Sequence, residues 1–423
     1  MNKLRILEDY DSNKVKLVQF EMLTNVLKYS YTNTDYYNKL FDDNGFDWVN
    51  IESSFKELPI LTKDTITSNS ESLISKKIPR SQLVKRNTGG STGEPLEFYS
   101  DKPAGLVDNA HHWYLYSLMG FEDGDVIVGS GGNDIKKELR ENNIYWTKKD
   151  PNCVWGEYSF SVLYITDDNI HYYVNKLIEI RPAILRGYPS FFDKLASYIL
   201  KNKISLPFHV KGVNLTAEMC SPAQRDNIEK AFSTLVYFEY GHTELALYCY
   251  TQDKSYVYKS SPIYGYIEVL DDKGRDVGIG EVGNIVVTGF NNLGMPFIRY
   301  DTGDMGELAY RNGGTVHFNK IQGRNQDYII SKDNQKIFLT ALIFGQHMTA
   351  FKNIKQWQLA QNEKGKVIIN IVRGDGFTIE DELNILVNFN NVADIELSFN
   401  YVDHIKMTNR GKHLFLVQNI KET

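Results

Sequence analysis

The stretch NTGGSTGEP, residues 87–95, threads Gly89, Gly90 and Gly93 between Thr88, Ser91 and Thr92 and closes on Pro95. Glycine reaches backbone angles closed to other residues, so consecutive amide N–H groups can converge on one concavity while the hydroxyls add donors. Such a backbone can wrap a phosphate. It lacks the G-x-x-x-x-G-K-[ST] spacing of a P-loop and the G-x-G-x-x-G of a dinucleotide fold, and taken alone it reads equally as a plain flexible loop. Lys85 and Arg86 add charge on its flank. The rest of the chain has to decide between the two readings.

With 423 residues, 42% of them hydrophobic and 24% charged, the chain can bury a large core and supply two or more domains. A formal net charge of −6, with no long basic run, gives no footprint for a nucleic-acid backbone. The opening MNKLRILEDYDSNK is too charged for the apolar core of a signal peptide, and no stretch approaches the roughly 20 apolar residues of a membrane helix. A cytoplasmic location is expected. Cys153, Cys220 and Cys249 are scattered, without C-x-x-C spacing, and read as buried free thiols. With no ligand-like partners at zinc spacing, Cys249 carries no metal reading.

Apolar residues recur every three or four positions in VKLVQFEMLTNVLKYSY, which predicts a packed helical lead-in. From about Leu83, short apolar runs (VIVG at 126–129, AILRG at 183–187) alternate with helix-like SFFDKLASYILKN and SPAQRDNIEKAF. Ser221 suits an N-cap and Pro222 a first helical turn. This alternation predicts an α/β body with parallel strands. YIEVLDDKGRDVGIGEVGNIVVTGF then predicts a β-rich subdomain, and WQLAQ, KVIINIVRG, IEDELNILVNF and DIELSFNYV a small α+β module. The expected division is a large domain over 1–322, a hinge at 323–327 and a small mobile domain over 328–423.

Four further stretches follow the glycine-rich one: YGHTE at 240–244, RYDTGD at 299–304, GRNQD at 323–327 and NRGKH at 409–413. In this order the five resemble the core motifs of the adenylate-forming superfamily of acyl-CoA synthetases and adenylation domains. FKELPILTKDTI, LRGYPSFFDKLA and MPFIRYDTGD narrow the resemblance to the phenylacetate–CoA ligase branch, and within it to the CapK-type capsular polysaccharide proteins. It runs nearly the full length of the chain.

The resemblance implies ATP-dependent activation of a carboxylic acid as acyl-adenylate, release of pyrophosphate and transfer to coenzyme A. This chemistry needs a cradle for the leaving group, cations against developing charge and an aligned carboxylate. Residue by residue, it implies that Thr88, Gly89, Gly90, Ser91, Thr92 and Gly93 hold the outer phosphates. In YGHTE, Tyr240 and Gly241 would lie along adenine, Thr243 would touch the α-phosphate and Glu244 would hold Mg²⁺. A strand end with a capping threonine and a solvated glutamate is the bland alternative. Ala217 and Glu218 match a segment that runs along the adenine, where the usual pattern is Ser-Gly-Glu and this chain has Thr-Ala-Glu. Asp304 would accept from both ribose hydroxyls, a carboxylate having acceptor sites on two oxygens, or would be an ordinary turn aspartate. Arg324 would approach ribose and phosphates, and Lys412 would be the catalytic lysine that bridges carboxylate and α-phosphate.

Two departures bear on the second half-reaction. Gln326 stands where the family has an acidic hinge residue, and a glycine expected soon after it is missing from SKDNQKIF. A chain altered there would hand its acyl group to an amine or hydroxyl, making a ligase of surface polysaccharide biosynthesis that does not use coenzyme A. A non-catalytic nucleotide-binding relative is the reading from another class; Thr243, Glu244, Asp304 and Lys412, all intact, speak against it. His111, His112 and Trp113 fall on a helix and read either as core or helix surface or as lining for the acyl group.

Overall fold

The computed structural model describes residues 4–6, 10–87, 96–151, 153–322, 328–334, 336–338, 350, 353–392, 395–406 and 414–420. Thr88–Gly93, Arg324, Gln326 and Lys412 therefore lie outside the described residues. The chain divides into two compact units, one formed by residues 1–122 and 237–323, the other by 123–236 and 324–423.

The first unit opens on the helix Ser12–Asn33, which Asp11 caps by accepting from the Lys14 amide at 2.9 Å. Its apolar stripe (Leu23, Val26, Leu27) packs with Tyr37, Phe41 and Phe55 against sheet residues Val269, Val287, Tyr300 and Phe318. That sheet is antiparallel, in the order Gly265–Leu270, Val282–Gly289, Tyr300–Asn312, Thr315–Gln322, Tyr258–Ser260, Tyr248–Tyr250, Val236–Gly241. Gln19, buried on the same helix, donates to the carbonyls of Gly265 (3.2 Å) and Gly314 (2.7 Å) and so ties the start of the chain to strands far along it. Strands Val84–Asn87 and Glu97–Ser100 pair with each other, Asn87 opposite Glu97, on either side of the glycine-rich stretch. The helix Lys102–Leu118 follows at once, with Asp101 as its N-cap.

In the second unit, strands Gly212–Leu215, Ile184–Gly187, Ile127–Gly131 and Tyr158–Ser161 lie side by side and parallel, with Trp146–Lys148 antiparallel at the edge. Helices Ile170–Ile180, Pro189–Lys201 and Pro222–Phe232 alternate with them, as expected for an α/β body. Ser221 caps the last of these in a full capping box with Gln224. Gly187 sits at φ +144°, and a Cβ there would overlap the Ser130 hydroxyl, which explains the glycine of LRGYP.

The chain's last hundred residues hold a sheet of their own, Glu396–Tyr401, Lys366–Arg373, Ile354–Glu363 and Leu416–Gln418, and the helix Ile379–Val392. Ile385 and Phe389 of that helix join Trp357, Leu359, Ile369 and Ile371 in a separate core. Of the three cysteines only Cys249 is buried; Cys153 and Cys220 are half-buried, which corrects the expectation of three buried thiols. Cys153 falls in the turn before Tyr158–Ser161 and Cys220 just ahead of the Ser221 cap, and connecting segments run near the surface.

Candidate active site

The strand Val236–Gly241 pairs antiparallel with Tyr248–Tyr250, Gly241 opposite Tyr248, and YGHTE turns between them. The turn closes by the Leu245 amide on the His242 carbonyl (3.1 Å), with Leu245 in the left-handed region at φ +58°. Gly241 and Thr243 are exposed here. Tyr240 is half-buried, and its hydroxyl donates to Asp304 Oδ2 at 2.6 Å. Burial, and then the Asp304 charge, pushes the phenol well above its usual range, so it keeps the proton it donates. Asp304 is itself set by RYDTGD: Gly303 takes φ +72°, and the Asp304 amide donates to the Thr302 hydroxyl at 3.1 Å.

Glu244 is buried at 7% exposure, which excludes the solvated glutamate of the bland alternative. Tyr300 donates to its Oε1 at 2.8 Å, and His242 Nδ1 lies 3.3 Å from its Oε2. Burial raises the carboxyl pKa, but the imidazole and the phenol outweigh it and hold the group at about 2. A hard, ionised carboxylate suits Mg²⁺, which takes one or two protein carboxylates and fills its shell with phosphate and water oxygens. Among the described residues no cluster of three or more His, Cys, Asp or Glu is arranged to hold a metal by itself.

Tyr240, Gly241, Thr243, Glu244 and Asp304 thus come together on one unit. Ala217 and Glu218 belong to the other, just past the strand Gly212–Leu215. Ala217, where the family pattern has glycine, takes φ +67°, a left-handed conformation that costs a residue with a Cβ about 1 kcal/mol or more. Glu218 Oε2 accepts from the Ser190 amide (3.2 Å) in the first turn of Pro189–Lys201, where a helix favours negative charge.

The sequence did not reveal a second buried polar group beside YGHTE. His112 sits with Nδ1 2.9 Å from Glu239 and Nε2 3.5 Å from Asp108; Tyr248 donates to Glu239 and Tyr264 to Asp108. His111 is buried as well, its Nδ1 on the Val107 carbonyl and its Nε2 on Ser261, and burial pulls its pKa down to about 4. Both histidines are thus packed in the core, while Trp113 is half-buried against Tyr116 and Phe121. The alternation of a strand gave the available signal: Glu239 and Gly241 share one face of Val236–Gly241 and Tyr240 the other.

Comparison with known proteins adds a family. The model of the CapK C-terminal domain matches residues 329–419. That stretch is similar to the CapK C-terminal domain. Across 99% of this chain and 91% of the other protein, the sequence is 27% identical to Protein CapK of Staphylococcus aureus. It is 22% identical to the phenylacetate-coenzyme A ligase of Thermus thermophilus, over 77% of this chain and 73% of that one. Among solved structures, 2-hydroxyisobutyryl-CoA ligase in the postadenylation state with 2-HIB-AMP aligns with a TM-score of 0.69, 16% identity, 95% of this chain and 89% of its own. The acyl acid amido synthetase GH3.15 with 2,4-DB aligns at 0.61, 16% identity, 94% and 88%. These likenesses show the α/β fold that the sequence predicts for this chain. No helix among the described residues is long and apolar enough to cross a membrane.

Proposed function

We propose that the protein activates a carboxylic acid with ATP and passes the acyl group to the thiol of coenzyme A. A carboxylate oxygen attacks the α-phosphorus, the bond to the β-phosphate breaks and pyrophosphate leaves; the thiolate sulfur then attacks the acyl carbon and AMP leaves. The observation that carries this reading is the convergence of YGHTE and RYDTGD in the first unit, joined by the Tyr240–Asp304 hydrogen bond.

Asp304, held by Tyr240, takes the ribose hydroxyls, and the Tyr240 ring stacks on adenine with Gly241 beside it. Thr243, exposed on the turn, donates to the α-phosphate. Glu244 holds Mg²⁺, which when bound neutralises charge on the phosphate oxygens. Thr88, Gly89, Gly90, Ser91, Thr92 and Gly93 take the β- and γ-phosphates, Ala217 and Glu218 run along the adenine, Arg324 serves ribose and phosphates, and Lys412 stabilises charge between carboxylate and α-phosphate. The small domain over 328–423 pivots at 323–327 between the two half-reactions. The separate core of that region and the family match to 329–419 support this division.

Transfer to an amine is the second reading, favoured by Gln326 at the hinge position and by the near full-length alignment with an acyl acid amido synthetase. Carboxylate-dependent exchange of labelled pyrophosphate into ATP, across aromatic, aliphatic and amino acids, tests the first step. Exchange with one acid, lost in Lys412→Ala, is expected; no exchange with any acid from folded protein argues for a non-catalytic relative. Adding coenzyme A or amines to the active acid then separates the two acceptors.

A further inference from the structure

The segment FKELPILTKDTI, residues 55–66, has no part in the chemistry above, yet Arg299 and Asp301, on either side of Tyr300, fasten it beside the site. Arg299 is 5% exposed and sits in the left-handed region at φ +50°. Its Nε and Nη2 each donate to Glu268 at 3.0 Å. Its Nη1 donates to the carbonyls of Lys56 (2.7 Å) and Leu58. Its amide donates to the Thr288 hydroxyl (2.9 Å), and its carbonyl accepts from the Leu61 amide (2.8 Å). On the far side of Tyr300, the Asp301 amide donates to the Leu61 carbonyl at 3.0 Å. Leu61 therefore brackets Tyr300, the residue whose hydroxyl holds Glu244.

We infer that Arg299 is a positioning residue for Glu244: spanning Glu268 and the 56–61 segment, it fixes the backbone that aims the Tyr300 hydroxyl. The assignment of Glu244 to Mg²⁺ rests on the proposed function. A non-glycine residue stays in a left-handed conformation only where its surroundings over-determine it, and here five partners do so. The guanidinium makes four hydrogen bonds at once, two to the carboxylate and one to each carbonyl, whereas an ammonium has three donors, so lysine is not an equivalent. The PILT segment acts as a splint laid along the start of the strand Tyr300–Asn312, set by a parallel bridge between Leu61 and Tyr300.

The test uses the full chain in two readouts, thermal unfolding without nucleotide and calorimetric titration of ATP with and without Mg²⁺. The variants are Arg299→Lys, Tyr300→Phe and their double, with Glu268→Gln as a milder disturbance should Arg299→Lys fold poorly. Tyr300→Phe is expected to weaken the Mg²⁺-dependent part of ATP binding about 10-fold. Arg299→Lys or Glu268→Gln should reproduce that loss, and the double variant should lose and destabilise no further than Arg299→Lys. Additive loss of stability in the double variant would overturn the positioning role, as would a Mg²⁺ effect left intact in Arg299→Lys and Glu268→Gln. If the stability losses are coupled but the wild type binds no ATP, the splint stands and the nucleotide reading fails.

Discussion

Tyr240 and Asp304, 64 residues apart in the chain, are joined by a 2.6 Å hydrogen bond from phenol to carboxylate. The tyrosine expected to stack on adenine thus also orients the carboxylate expected to bind ribose. An ionised carboxylate has acceptor sites on both oxygens, so the bond on Oδ2 orients Asp304 without using it up.

Tyr240→Phe keeps the ring and removes the donor. The KM for ATP should rise about 5-fold, the size of one modest hydrogen bond, with kcat nearly unchanged. Pyrophosphate exchange at varied ATP measures both.

Glu244 gives a pH signature. Its carboxyl is lowered from 4.5 to about 2 in the folded chain, so the folded state binds fewer protons than the unfolded one between those values. The stability it contributes is complete above about pH 4.5 and drains away as pH falls toward 2. Urea midpoints of wild type and Glu244→Gln should differ at pH 7 and converge as the solution is taken down through that window.

His112→Leu removes the partner of two inward-facing carboxylates. Removing one hydrogen-bond partner of a buried carboxylate typically costs about 1.5–3 kcal/mol, with Tyr248 and Tyr264 still holding the two groups. His112→Leu should show a loss of that order in denaturant unfolding, and His112→Leu with Glu239→Leu should recover part of it. Recovery would identify the lost hydrogen bond to Glu239, and not lost packing, as the cause.

Ala217→Gly should stabilise the protein. Relief of about 1–2 kcal/mol of left-handed strain exceeds the roughly 0.4–1 kcal/mol that glycine returns to the unfolded chain. A small rise in melting temperature, with pyrophosphate exchange retained, is the expected result.

Much of this was legible in the sequence because it is local. Ser221 with Gln224, the alternation of strand and helix, and the motif residues 240–244 all announce themselves within a few positions. What was not legible depends on partners far along the chain. His112 meets Glu239 across 127 residues, and Arg299 meets Lys56 and Leu58 across more than 200. No periodicity encodes such pairs. The half-buried cysteines escaped for a related reason: residue type sets an average burial, while position within a turn sets the actual one.

The hold of Gln19 on Gly265 and Gly314 has a consequence for biosynthesis. A ribosome extends a chain by about 5–20 residues each second, and the first helix must wait for strands that emerge only after all of residues 123–236 have been made. Throughout that interval the apolar stripe of Leu23, Val26 and Leu27 has no sheet to cover it. The nascent chain is therefore expected to need chaperones until residue 314 has cleared the exit tunnel, and fragments that stop short of it should aggregate.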